Sequence, residues 1–261
     1  MSLEDHVIEV AHDGAVATVS MCFAPHNLMS KALMDGLIGA LKRAEEDGAR
    51  AIVLRSKLRN FCAGADLTLF ENKGAALYNR QFEILPYLEA IEAINVPLIA
   101  SVHGLAVGGG LELALACDII IAADTARLGS VEVTLGVHPL MGGIQRVAAR
   151  AGVARAKEMA LLGRRYDAAT LESWGIINTV VPEARLDEVT RTIAHELAHG
   201  PTKANSATKA LITKFVNEGM AIADQAMFDL QRPIFESDDL AAGLKAFHEF
   251  NSPGHALFTG H

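Results

Sequence analysis

Short alternating apolar runs at Val7–Val10 and Ala15–Met21 flank His12-Asp13-Gly14. That pattern predicts a β-hairpin turning at the glycine. Ser30 stands before Leu33, Leu37, Ile38 and Leu41, a helical spacing with a capping residue in front, and Gly48 closes the segment. Ala51–Leu54 is a buried strand, and the loop from Lys57 to Gly64 leads to a second helix start near Asp66. Leu77–Ile94 is periodic at helical spacing, with Pro97 marking its end. Leu98–Val102 and Ile119–Ala122 predict further strands, and between them Gly108-Gly109-Gly110 opens an apolar helix, Leu111–Cys117. Strand, loop and helix recur at about 40 to 50 residues, the pattern of stacked ββα-like turns. From Asp187 onward the chain reads as helix, broken mainly at Gly200-Pro201.

Composition narrows the class. The chain has 261 residues, 51% of them hydrophobic, enough for one large core but short for two independent domains. A net charge of −8 argues against nucleic acid or an anionic membrane as the main partner. The longest apolar run, around Ile119–Ala123, is too short to cross a bilayer. Three cysteines (Cys22, Cys62, Cys117) show no zinc or redox spacing, which fits a reducing compartment. With no signal-like N-terminus, the expectation is a cytoplasmic protein.

Two glycine-rich loops carry the candidate chemistry. Asn60–Leu67 follows a strand and opens a helix. Its small residues Ala63, Gly64 and Ala65 let a ligand approach the main chain, and Asp66 reads as a cap. His103–Leu113 holds three consecutive glycines at a helix start, which is costly in chain entropy unless backbone must touch a ligand. The spacing is neither a dinucleotide fingerprint nor a phosphate-binding Walker loop. Two such helix starts suggest paired N–H donors around one oxygen, an oxyanion hole. Glu112 lies among Leu111, Leu113, Ala114 and Leu115, and Glu132 lies among Gly129, Ser130, Val131 and Val133. The neighbours of Glu112 suggest burial, where an unpaired carboxylate is expensive, and with Glu132 it forms a candidate acid/base pair.

At these residues the sequence resembles the enoyl-CoA hydratase/isomerase, or crotonase, superfamily. The matching pieces are Phe61–Leu67, Val102–Asp118, Ala126–Val133, Pro139–Arg146, Gly175–Asn178, Val180–Pro182, Gly200-Pro201 and the C-terminal Phe235–Asp239 and Gly243–Phe247. The resemblance implies an α/β crotonase-like spiral of repeated ββα turns over residues 1–198. It also implies a C-terminal helical region, 199–261, used in assembly as a homotrimer or dimer of trimers. It places the oxyanion-hole N–H groups on Ala65 and Gly109 and the catalytic carboxyls on Glu112 and Glu132. Ala63, Gly64, Asp66, Leu67, Gly108, Leu140 and Met141 are the expected substrate-lining residues. Having both glutamates favours hydration of a 2-enoyl-CoA over the alternatives, 3-enoyl-CoA isomerisation or other crotonase-type acyl-CoA chemistry. No metal or other cofactor is implied, since coenzyme A arrives as part of the substrate.

The chain departs from the family pattern in places. Ala24–Met29 contains no Lys or Arg, Thr68 stands where many members have Lys, and Phe250 or Asn251 matches a C-terminal Lys. Lys57, Arg59 and Lys245 are the candidate replacements for holding the CoA phosphates. Leu140 replaces a glycine near the expected acyl site. One motif points elsewhere: His195-Glu196-Leu197-Ala198-His199 is a literal zinc-protease pattern. The Gly200-Pro201 break beside it puts His199 in a fraying last turn, a poor place for a rigid ligand.

Overall fold

The structure, a computed structural model, describes residues 7–71 and 85–261. A six-stranded sheet has the order β1-β2-β3-β4-β6-β9, built from β1 (Ile8–Asp13), β2 (Val16–Met21), β3 (Ala51–Ser56), β4 (Leu98–Val102), β6 (Ile119–Ala123) and β9 (Thr179–Val181). Only the β1–β2 edge is antiparallel. Gly14 makes its turn at φ +59°, as the Asp-Gly pattern predicts. A second sheet joins β5 (Leu105–Val107), β7 (Arg127–Gly129) and β8 (Tyr166–Asp167).

The ββα pattern follows from these two sheets. β4 in the large sheet leads to β5 in the small one and then to a helix; β6 leads to β7 and then to a short 3-10 turn, Glu132–Leu135. β3 leads to an isolated bridge between Cys62 and Ala106, then to the 3-10 turn Leu67–Phe70. Parallel pairing within each sheet stacks these turns like a coil. The interval is not the regular one the sequence suggested. β3 and β4 begin at residues 51 and 98, but β6 begins at 119. Among the described residues the longer interval holds the helix Leu85–Glu92.

Helix α1 (Lys31–Glu46) is capped by Ser30, whose side chain accepts from Leu33 N–H, and buries Leu33, Met34, Leu37, Ala40, Leu41 and Ala44. Helix α2 (Leu85–Glu92) is the described part of the predicted Leu77–Ile94 helix; residues 77–84 lie outside the described residues. The start near Asp66 is a single 3-10 turn rather than an α-helix. Then come α3 (Gly109–Leu115), α4 (Gly143–Ala151), α5 (Val153–Leu162), α6 (Ala168–Ser173) and α7 (Leu186–Ala198). Helix α7 packs across β3, β4 and β6 and closes the core. Beyond Gly200-Pro201 the chain is helical: α8 (Thr202–Glu218), α9 (Met220–Phe235) and α10 (Asp238–Phe250). No helix among the described residues is long and apolar enough to cross a membrane.

Candidate active site

The first two ββα turns bring the glycine-rich loops side by side. Cys62 N–H donates to Leu105 O (3.1 Å) and Val107 N–H to Cys62 O (3.2 Å), so the two segments run parallel with Cys62 beside Ala106. Three residues further along each lie Ala65 and Gly109, which the pairing therefore carries to matching positions.

The direction of each N–H follows from its neighbouring carbonyl. Gly64 O accepts from Met29 N–H (2.9 Å). Because a trans peptide sets its C=O and N–H in opposite directions, the Ala65 N–H points away from Met29. Gly108 O accepts from Leu111 and Glu112 N–H within the first turn of α3, so the Gly109 N–H points out of the helix start. Among the described residues neither N–H donates to a loop or turn acceptor. A Cβ placed on Gly108 would lie 3.8 Å from Gly64 Cα and 3.5 Å from Glu132 Oε1, so both loops and one carboxyl meet here. Gly108, at φ +55°, is held in a backbone region that glycine adopts without strain.

Glu112, in the first turn of α3, is 4% exposed. Its Oε1 accepts from both Met141 N–H (3.0 Å) and Gly143 N–H (2.9 Å), the amides of the turn entering α4. Both bonds fall on one oxygen, and the other takes no part in them. Burial pushes its carboxyl up from 4.5 to about 7, against the lowering effect of the Gly143 amide; Glu132 also raises it. Glu132 opens the 3-10 turn after β7. Its Oε2 accepts from Ser130 Oγ (2.7 Å), while its buried Oε1 has no partner among the described residues. Each carboxyl therefore keeps one tethered and one uncommitted oxygen.

The raised carboxyl has a consequence for stability. A carboxyl whose folded pKa exceeds its unfolded value contributes fully below about 4.5 and loses that contribution as pH rises through about 7. Glu112→Gln keeps an oxygen for both amides and removes the buried charge. The variant should therefore match the parent near pH 4.5 and exceed it above pH 7, by up to about 3 kcal/mol. Paired urea denaturation at pH 5 and pH 8 measures this; an equal difference at both pH values would contradict it.

The other expected lining residues fall into place with mixed engagement. Ala63 and Gly64 lie in the first loop, and Met141 Sδ would be 3.7 Å from a Gly109 Cβ. Leu140 is half-buried and Leu67 is exposed. Asp66 is a cap, accepting from Thr68 N–H (3.0 Å) and Thr68 Oγ (2.8 Å). Lys57 pairs with Glu9, while Arg59 and Lys245 are exposed. Cys62 is buried, with its thiol pushed up to about 12, which suits packing rather than nucleophilic attack. His103 Nε2 contacts Leu58 O (2.7 Å), the hydrogen-bonded structural role its setting suggests. The zinc-like histidines are engaged elsewhere: His195 Nε2 with Asp13 Oδ2 (2.9 Å) and His199 Nδ1 with His195 O (2.7 Å). No metal-holding cluster of His, Cys, Asp or Glu occurs among the described residues.

Residue-by-residue reading of the sequence did not single out Ser130, nor the Met141 and Gly143 amides as partners of Glu112. A serine two residues before a semi-buried glutamate was the available signal for the first. It also passed over Asn27, a fully buried residue at φ +51° whose Nδ2 donates to Ser56 Oγ (2.7 Å) and Phe61 O (3.0 Å), holding the first loop from behind.

Coiled ββα turns, paired glycine loops and two carboxyls near enough to interact define a crotonase-type protein. The enoyl-CoA hydratase/isomerase family model matches residues 12–256, and the chain belongs to that family. It is 34% identical to a 2,3-dehydroadipyl-CoA hydratase of Escherichia coli (strain K12) over 88% of this chain and 90% of that protein. It is 32% identical to an enoyl-CoA isomerase/hydratase of Mycosarcoma maydis, over 90% and 88%. The enoyl-CoA hydratase structure from Bacillus anthracis superposes with a TM-score of 0.88 at 32% identity, covering 98% of this chain and all of that one (100%).

Proposed function

We propose that this protein is an enoyl-CoA hydratase that adds water across the 2,3-double bond of a 2-enoyl-CoA. The observation that carries the reading is the presence of two carboxyls, Glu112 and Glu132, each with an uncommitted oxygen beside the two glycine loops. Isomerisation needs one group to move one proton; hydration must also orient and deprotonate a water, for which a second carboxyl is suited.

The chemistry follows. The thioester carbonyl lies between the Ala65 and Gly109 N–H groups. Attack of water at C3 pushes charge onto that oxygen, and donors fixed by the fold are stronger there than mobile water, each worth ~3–4 kcal/mol. The productive pair carries one proton. Glu112 orients the attacking water and takes its proton as the oxygen bonds to C3, while Glu132, which shares that water, delivers a proton to C2. The proton then returns from Glu112 to Glu132 and the site is reset. Because Glu112 must be ionised, kcat/KM should fall as pH drops through about 7. A pH profile flat across that range would remove Glu112 from the base role. No further cofactor enters the scheme.

The test is a panel of 2-enoyl- and 3-enoyl-CoA thioesters of several chain lengths, followed at the conjugated double bond. Faster loss of conjugation from 2-enoyl substrates supports hydration. Faster gain of conjugation from 3-enoyl substrates assigns the chain to isomerisation.

The same reading includes a homotrimer or a dimer of trimers acting in the cytoplasm. The assembly is supported by apolar side chains left exposed on α8–α10, among them Val216 (56%), Phe228 (64%) and Phe235 (67%). Sedimentation equilibrium should return three or six chain masses, and a monomer at micromolar concentration would refute assembly.

A further inference from the structure

Met29 touches both proposed donor loops by different means. Its backbone clasps the first. Its N–H donates to Gly64 O (2.9 Å) and its carbonyl accepts from Asp66 N–H (3.1 Å), so it bonds both flanks of Ala65 and turns the Ala65 N–H to the opposite side. Its side chain seats the second. Met29 Sδ lies 2.4 Å from where a Gly109 Cβ would be, and Met29 Cε 3.7 Å from it, so the thioether rests on the Gly109 backbone. The residue is 3% exposed and part of the core. Asn27, two residues earlier, has its side chain locked by bonds to Ser56, Phe61 and Phe23, which gives this segment a fixed base.

We infer that Met29 is a positioning residue that sets the separation and aim of the two amides: its main chain orients the Ala65 N–H and its sulfur supports the Gly109 N–H. The inference rests on the oxyanion role assigned to those amides above. An amide misplaced by a fraction of an ångström loses most in the transition state, where charge on the oxygen is greatest. Truncating Met29 should therefore lower kcat more than it raises KM. The absence of a Cβ on Gly109 also has a specific reason here, since the thioether occupies that space.

Three variants test this: Met29→Ala, Gly109→Ala and the pair together. Met29→Ala should lower kcat for crotonyl-CoA at least about tenfold with KM changed less than about threefold, and should reduce the red shift of a bound dienoyl-CoA chromophore, which reports carbonyl polarisation. Gly109→Ala should be slowed by its clash with the sulfur. In the pair the added methyl enters the vacated space, so the double variant should be faster than Gly109→Ala alone. Met29→Leu, of similar volume, fills the same space beside Gly109 and should keep kcat within about threefold of the parent, whereas Met29→Val, too short to fill it, should lower kcat as Met29→Ala does and carries the test if Met29→Ala is poorly folded. Parent-like kcat and chromophore shift in Met29→Ala, or no recovery in the double variant, would overturn the inference while leaving the hydratase reading intact. A parent protein that hydrates no enoyl thioester would instead defeat that reading.

Discussion

Glu132→Gln should lower crotonyl-CoA hydration at least about a hundredfold, the low end of what a positioned acid or base contributes. The amide still accepts from Ser130 at one oxygen, so the side chain can remain where it is. What disappears is the carboxyl proton that the proposed step delivers to C2. Glu112→Gln should cost a similar factor for a different reason. Its remaining oxygen keeps the Met141 and Gly143 amides, but it can no longer take a proton from water. The two variants together also separate hydration from isomerisation. If only Glu132→Gln is slow and 3-enoyl substrates turn over faster, the isomerase reading prevails. Initial rates with purified variants, with folding checked by circular dichroism, decide the matter.

Gly110→Ala should be far more damaging than the same methyl added at the neighbouring Gly109. A Cβ at Gly110 would stand 2.1 Å from Cys62 O and 2.9 Å from Cys62 C. That carbonyl is already fixed by Val107 N–H, in the pairing that holds the two loops together. Backbone cannot yield as a side chain can, so the methyl must push the start of α3 away from the first loop. Overpacking of this kind costs about 3 kcal/mol, a fall of roughly 6 °C in Tm for a chain of this size. The same displacement separates the two amides, so hydration should fall well beyond the loss of folded protein. Gly109→Ala, which meets a flexible thioether rather than a carbonyl, should lose less stability. Thermal melts of the two variants side by side test the ordering; a Gly110→Ala protein as stable as the parent would contradict it.

Much of this site was legible in the sequence because its parts obey local rules. Asp13-Gly14, the Ser30 cap and the three-glycine run each mark a backbone conformation that few other residues supply, and the structure uses each as expected. Glu112 was conspicuous because a charge within an apolar helix needs a reason. What could not be read was the long-range partnership. Nothing local ties Glu112 to amides 29 and 31 residues later, or Met29 to Gly109. The second helix start was overestimated because a good cap at Asp66 does not guarantee the turns beyond it; the hydrogen bonds there close only one 3-10 turn. The repeat interval misled for a related reason: ββα turns need a fixed order of strands, while the lengths of their connections are free.

The central physical claim is that two main-chain amides from separate turns act on one thioester oxygen. The most direct measurement is the infrared difference spectrum of crotonyl-CoA labelled with ¹³C at the thioester carbonyl, recorded early after mixing with the Glu132→Gln protein, in which turnover is slowed. The labelled C=O band should move to lower frequency than in water and move back toward it in the Met29→Ala background. A bound carbonyl band at its solution frequency would contradict it.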